Sequence, residues 1–249
     1  MKIGILQLNT VWGDPQANFS QIEKALNKAD QLPDILVLPE MFDHGYVMNP
    51  SELSNLDPED SLARVRMLAA KYGIAIAGTI PNERDGKYFN TFIFVEEDGV
   101  FATYDKIHLF SPAGEAEQYR SGEEVVEILY ENTVIRPLIC YDLRFPYCSW
   151  NDTEFDVLIY SANWPIARID QWDSLLKARA IENQCYVVGC NRIGNDKNNL
   201  EYNGQSKVYD YKGKLILDCD KSLEILNCEI EISSKEMYRA KYPFLKDQK

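Results

Sequence analysis

Four short, almost uninterrupted apolar runs constrain the fold most: DILVLPE (34–40), VIRPLIC (134–140), DVLIYSANW (156–164) and QCYVVGCNR (184–192). None approaches the roughly 20 apolar residues of a membrane helix. A strand with one wet face would alternate, whereas a run that stays apolar marks a strand covered on both faces. The runs therefore demand a layered architecture in which sheet is buried beneath other elements.

The covering layers are legible as well. Asp14-Pro15 offers an N-cap and a first-turn proline, and Phe19, Ile22 and Leu26 fall on one face of the helix that follows. A second helix is expected near residues 59 to 72, with Leu62, Val65 and Leu68 or Ala69 buried. Trp172, Leu175, Leu176, Ala178 and Ile181 mark a third. KIGILQLN (2–9) alternates like a strand, and IAIAGTI, FNTFIFVEEDGVFATYDK and VVEILYENTVIRPLIC are β-rich, with turns at Asp85-Gly86, Asp98-Gly99 and Asn132. SKVYDYKGKLILDC and LEILNCEIEI read as closing, hairpin-like strands around Gly213. βαβ units and hairpins interleave with no repeat or low-complexity linker, so one α/β domain spanning 1–249 is expected. The tail from about 233 to 249 carries Tyr238, Tyr242 and Phe244 and should dock on the body or on a partner subunit.

Charge and cysteine usage narrow the function. Lys and Arg number 26 against 39 Asp and Glu, a formal charge of -13 that repels nucleic acid and anionic membranes. A small anionic substrate stays open, because a local cation acts within about 8 Å, one Debye length at physiological salt. The start, MKIGILQLNT, lacks the tripartite form of a signal peptide. Six scattered cysteines (140, 148, 185, 190, 219, 228) without a CxxC pair read as free thiols of a reducing cytoplasm. With only His44 and His108, a histidine-based metal site or a Ser-His-Asp triad has little to draw on; both are expected in structural or supporting roles.

In open α/β folds, functional groups gather beyond the carboxyl ends of strands. Glu40 ends DILVLPE, Lys106 ends VFATYDK and Cys140 ends VIRPLIC. A lone cysteine in an apolar strand is ordinarily a small core residue, and a lone Glu or Lys at a strand end is ordinarily solvated. An acid, a base and a thiol at the same topological point of three strands is a different matter. A thiol becomes nucleophilic when a base takes its proton or a cation stabilises the thiolate. Glu40 suits the first role and Lys106 the second, and Lys106 together with the Tyr141 N–H can also hold an oxyanion.

LVLPEMF around Glu40, YDKIHLF around Lys106 and LICYDLRFP around Cys140 resemble the carbon-nitrogen hydrolase (nitrilase) superfamily, as do GTIP, YSANWP and KARAIENQCYVVGCNR. CYDLRFP with ANWP and RAIENQ is most similar to the omega-amidase branch, which hydrolyses the terminal amide of 2-oxoglutaramate and 2-oxosuccinamate. The resemblance implies a four-layer α-β-β-α sandwich with two mixed sheets, a homodimer that builds an eight-layer assembly, a thioester intermediate and no metal or organic cofactor. It also implies a fourth catalytic group in HLFSPAGEAEQYRSGE, with Glu115 the best placed and Glu117 its competitor. Arg144 is the candidate clamp for the substrate's 1-carboxylate, unless it is merely exposed or ion-paired, for example with Asp142. Phe42, Tyr46, Phe145, Trp164 and Arg168 are further candidates for the substrate wall. Lys177, Arg179 and Glu182 are expected to be solvated or ion-paired, with a scaffold or dimer role open for the last two.

The alternatives within the superfamily are another small amide or carbamoyl substrate. Outside it stands a catalytically silent protein that binds oxo-acids or a partner. A nucleotide-binding α/β protein fits poorly, because no GxGxxG or GxxxxGK[ST] cradle follows any predicted strand.

Overall fold

The helix signals act where the sequence puts them in the computed structural model, which describes residues 1–247. Helix α1 (Pro15–Lys28) opens with the Asp14 carboxylate accepting the Ala17 N–H at 2.9 Å, and α2 (Pro58–Tyr72) repeats the device with Asp57 and Asp60 at 3.0 Å. Both bury the expected stripes. One turn, α3 (Glu115–Gln118), then precedes α4 (Ile169–Asn183) and the C-terminal α5 (Ile232–Lys241).

Among the described residues, fourteen strands accompany them. The first half supplies β1 (Lys2–Ile5), β2 (Ile35–Val37), β3 (Ala75–Arg84), β4 (Lys87–Val95) and β5 (Phe101–Asp105). The second supplies β6 (Ile128–Tyr130), β7 (Thr133–Ile139), β8 (Val157–Ala162), β9 (Tyr186–Asn191), β10 (Ile193–Asn195), β11 (Glu201–Asn203), β12 (Lys207–Tyr209), β13 (Leu215–Asp218) and β14 (Leu226–Glu229). They form two six-stranded sheets, ordered β14-β1-β2-β3-β4-β5 and β13-β12-β9-β8-β7-β6, and a separate β10-β11 pair. Each sheet has three parallel central strands, β1-β2-β3 and β7-β8-β9, with antiparallel flanks. This is the expected mixed, doubly covered arrangement.

Alternation along the strands sorts the core. Ile3, Ile5, Ile35, Val37, Phe92 and Phe94 face the second sheet, where Ile135, Val157 and Ile159 share their cluster. Leu6, Leu36, Ile76 and Ile93 point the other way and pack with Phe19, Ile22, Val65 and Ala69 of α1 and α2. On the far side α4 lies close to β9, because a Cβ at Gly189 would sit 2.5 Å from Leu176 Cδ1 and 2.7 Å from Trp172 Cζ2. Helices, sheet, sheet and helix make the four layers.

Two readings are corrected. LEILNCEIEI does not continue the β12-β13 hairpin; β14 crosses to the other sheet and pairs antiparallel with β1. Ile181 is 50% exposed, because the inner face of α4 is Trp172, Leu176 and Ala180, and Ile181 follows one residue, about 100°, further around the helix. The tail segment contacts the body of its own chain: Lys235 pairs with Asp156, Arg239 Nη2 donates to Phe155 O at 2.6 Å, and Tyr238 packs on Tyr211.

Candidate active site

Three strand ends meet between the sheets. Lys106 follows β5 directly and Cys140 follows β7 directly, while Glu40 lies three residues beyond β2. The Lys106 ammonium donates to Glu40 Oε1 at 2.8 Å and to both oxygens of Glu115, at 3.0 and 2.9 Å. All three side chains are at most 1% exposed. Glu117, the competitor, is exposed on the same short helix.

Further donors hold the carboxylates. Asn90 Nδ2, from β4, reaches Glu40 Oε1 at 2.8 Å and Glu115 Oε1 at 3.1 Å. The Phe110 N–H donates to Glu115 Oε2 at 2.6 Å. Asn163, just past β8, donates its N–H to Glu40 Oε2 and its side-chain amide to the Glu40 carbonyl. Asn90 and Asn163 sit in FNTF and YSANW, segments the sequence marks as strands. Their role arises only when β4 and β8 come beside Glu40, so local pattern does not reveal it.

The thiol is presented by strain. Cys140 adopts φ 41°, a left-handed conformation costing a non-glycine residue about 1–3 kcal/mol, and opens a 3-10 turn, Cys140–Arg144. Met41, next to Glu40, is also left-handed at φ 50°. Both segments thus turn sharply at the strand ends instead of running on. Arg179, 4% exposed, braces the Cys140–Arg144 turn from α4 by donating to Leu143 O at 2.7 Å; its other arm meets Glu182 at 2.8 Å.

Electrostatics assign a resting state. Burial pushes the Cys140 thiol well above the ordinary cysteine range, with the Glu40 charge adding to the rise and Lys106 opposing it. Burial also raises Glu40, which Lys106 pulls down and Glu115 pushes up. For Lys106 burial works against the charge, yet Glu115 and Glu40 outweigh it and hold the ammonium above the lysine range. One cation is shared between two carboxylates. The arrangement offers a protonated thiol, a permanent cation and a carboxylate more basic than usual.

A narrow cavity of about 50 Å³ opens over Cys140, lined among others by Tyr46, Tyr141, Arg144, Trp164 and Arg168. The Arg144 guanidinium lies 4.9 Å from the Trp164 ring and donates to the neutral Gln171 side chain at 2.5 Å, so it is not paired with Asp142. Arg168 lies over Phe110, 5.3 Å from its centroid. Burial keeps the Tyr46 phenol protonated by raising it well above its ordinary range. The β10-β11 region adds Leu200 and Tyr202, which sequence reasoning missed because that hairpin is remote from all three strand ends in the chain.

Two expected wall residues lie elsewhere. Phe42 is fully buried among the residues beneath α1 and α2, edge-on to Phe19 at 5.9 Å, where only Gly78 leaves it room: a Cβ there would stand 2.8 Å from Phe42 Cδ1. Phe145 stacks on His108 at 3.9 Å behind the Cys140–Arg144 turn. The left-handed step at Met41 separates the directions of Glu40 and Phe42, and a sequence pattern carries no trace of it.

A family model for carbon-nitrogen hydrolases matches residues 2–240. The chain is 39% identical to omega-amidase YafV of Yersinia enterocolitica, over 99% of this chain and 96% of that one. It is 33% identical to the 2-oxoglutaramate amidase of Bacillus subtilis, over 98% of this chain and 96% of that one. Among solved structures, XC1258 from Xanthomonas campestris, a CN-hydrolase superfamily protein with an arsenic adduct in its active site, matches at a TM-score of 0.94 and 33% identity, covering 100% of this chain and 97% of that one. Sequence match along nearly the whole length and the same layered fold agree, and the chain belongs to the carbon-nitrogen hydrolase family.

Proposed function

We propose that the chain hydrolyses the terminal amide of small 2-oxo acid amides, 2-oxoglutaramate and 2-oxosuccinamate, to the 2-oxo dicarboxylate and ammonia. The observation that carries this reading is the buried Glu40–Lys106–Glu115 cluster beside a strained thiol, under a cavity bordered by two guanidinium groups. Relatives named as omega-amidase and 2-oxoglutaramate amidase support the same substrate class.

The steps follow from the groups present. Glu40 takes the Cys140 proton, and the thiolate attacks the amide carbon. The oxyanion forms against the Lys106 ammonium and the Tyr141 N–H, donors fixed in place before the charge develops. Glu40 returns its proton to the departing nitrogen, ammonia leaves, and a thioester remains on Cys140. Water then enters, gives a proton to Glu40 and cleaves the thioester, releasing the acid and restoring the thiol. Glu115 fixes the Lys106 ammonium throughout. No step requires a metal or organic cofactor.

Arg144 selects the acyl end. Its present partner, the Gln171 amide, is neutral, and a substrate carboxylate that replaces it gains a charge-assisted, bidentate contact. The narrow cavity favours short acyl chains over bulky ones. Ammonia release from 2-oxoglutaramate is the test: turnover by the wild type and none by Cys140→Ala supports the reading, and equal background in both refutes it.

A further inference from the structure

Behind the thiol lies a polar cluster that the steps above do not use. Asp142, fully buried, accepts four hydrogen bonds: Oδ1 from the His108 N–H at 2.9 Å and from His108 Nδ1 at 2.8 Å, Oδ2 from the Tyr104 hydroxyl at 2.8 Å and from the Ile139 N–H at 2.9 Å. A carboxylate only accepts, so Nδ1 carries the proton, and four donors fill the carboxylate's lone-pair sites. Cys148 Sγ, 3.5 Å from the same Nδ1, completes a group whose ligand-type atoms lie within 4.8 Å of one another. With the carboxylate filled, this is a clamp and not a cation site.

Its partners stand at telling positions. Tyr104 and His108 are the second neighbours of Lys106 on either side, and Ile139 and Asp142 bracket Cys140. The Ile139 N–H bond also closes the turn in which Cys140 is left-handed. His108 is fixed further by stacking on Phe145 and by the Tyr147 hydroxyl at Nε2.

We propose that Asp142, with His108, is a positioning residue that sets the spacing of the Cys140 thiol against the Lys106 ammonium. This rests on the chemistry assigned above to Glu40, Lys106 and Cys140. Asp142→Asn keeps the shape, but whichever oxygen becomes NH2 then opposes two donors, so the two turns move apart.

The test measures kcat and KM for ammonia release and, independently of any substrate, the rate at which iodoacetamide alkylates Cys140 in folded protein. Displacements near 1 Å cost on the order of 10²-fold in rate. Asp142→Asn is expected to lower kcat and alkylation together by about 10- to 100-fold with KM little changed. His108→Gln, which leaves the backbone N–H in place, is expected to lower both by a smaller factor and decides the matter if Asp142→Asn does not fold. Folded variants with wild-type alkylation, or with an effect confined to KM, would overturn the proposal. Slowed alkylation in the variants together with no ammonia release from any form upholds the clamp and removes the substrate instead.

Discussion

Glu115→Gln is the substitution on which the assignment of the fourth charged group turns. Glu115 accepts two bonds from Lys106, one from Asn90 and one from the Phe110 N–H, so each oxygen faces two donors. A glutamine has only one oxygen; in either orientation its NH2 confronts Lys106 and a second donor. Removing one partner of a buried ion pair costs about 3–5 kcal/mol. If that cost falls on the Lys106 ammonium as it meets the oxyanion, at about 1.4 kcal/mol per tenfold in rate, kcat drops by roughly 10²–10⁴-fold. Glu117→Gln, a change on the exposed face of the same turn, stays within about 0.5 kcal/mol of wild type. Steady-state ammonia release with circular dichroism as the folding control reads both. A folded Glu115→Gln with wild-type kcat would refute the reasoning, and so would a Glu117→Gln that is the more damaged of the two.

Three further outcomes are expected. Arg144→Ala loses a charge-assisted contact worth about 1.5–3 kcal/mol, so KM for 2-oxoglutaramate rises by about 10- to 100-fold while kcat changes less; steady-state kinetics decide, and an unchanged KM removes Arg144 from the substrate. The acid limb of kcat/KM lies above the ordinary glutamate value of 4.5, because Glu40 must be ionised to act and burial raises it. The sign for stability is the reverse: a carboxylate raised in the fold stabilises below its unfolded pKa and loses that contribution as pH rises through the folded one. Glu40→Gln is inactive in the ammonia assay, and in a thermal melt at neutral pH it is destabilised as Glu115→Gln is, because its NH2 meets Lys106 and Asn90 in one orientation and the Asn163 N–H in the other. Phe42→Ala opens a cavity beneath α1 and costs about 3–5 kcal/mol in a denaturant melt, with KM unchanged, as befits a core residue.

What the chain reveals locally and what it does not divide on clear physical lines. The apolar runs around Leu36, Ile139, Ile159 and Val188 declare buried strands because burial on both faces leaves no alternation. Asp14-Pro15 and the Phe19, Ile22 and Leu26 stripe declare α1 because capping and periodicity act within a few residues. Glu40, Lys106 and Cys140 were legible for the same reason: each stands at the end of a readable run, and the structure draws the acid and the base together at 2.8 Å. The supporting shell was not legible. Asn90, Asn163 and Asp142 act on partners up to 123 residues away, and nothing in FNTF or YSANW announces that. Proximity to Glu40 and Cys140 in sequence suggests Phe42 and Phe145 as wall residues, but the turns at Met41 and Cys140 point them elsewhere. The pairing of β14 with β1 joins residues near opposite ends of the chain, beyond any local signal.

The central claim is that Cys140 carries the acyl group. Intact-protein mass spectrometry of acid-quenched protein during turnover of 2-oxoglutaramate tests it most directly. The account predicts an acyl adduct that maps to the peptide bearing Cys140, disappears when substrate is exhausted and never forms on Cys140→Ala. Ammonia release by Cys140→Ala at the wild-type rate, or an adduct that maps to any other residue, would contradict it.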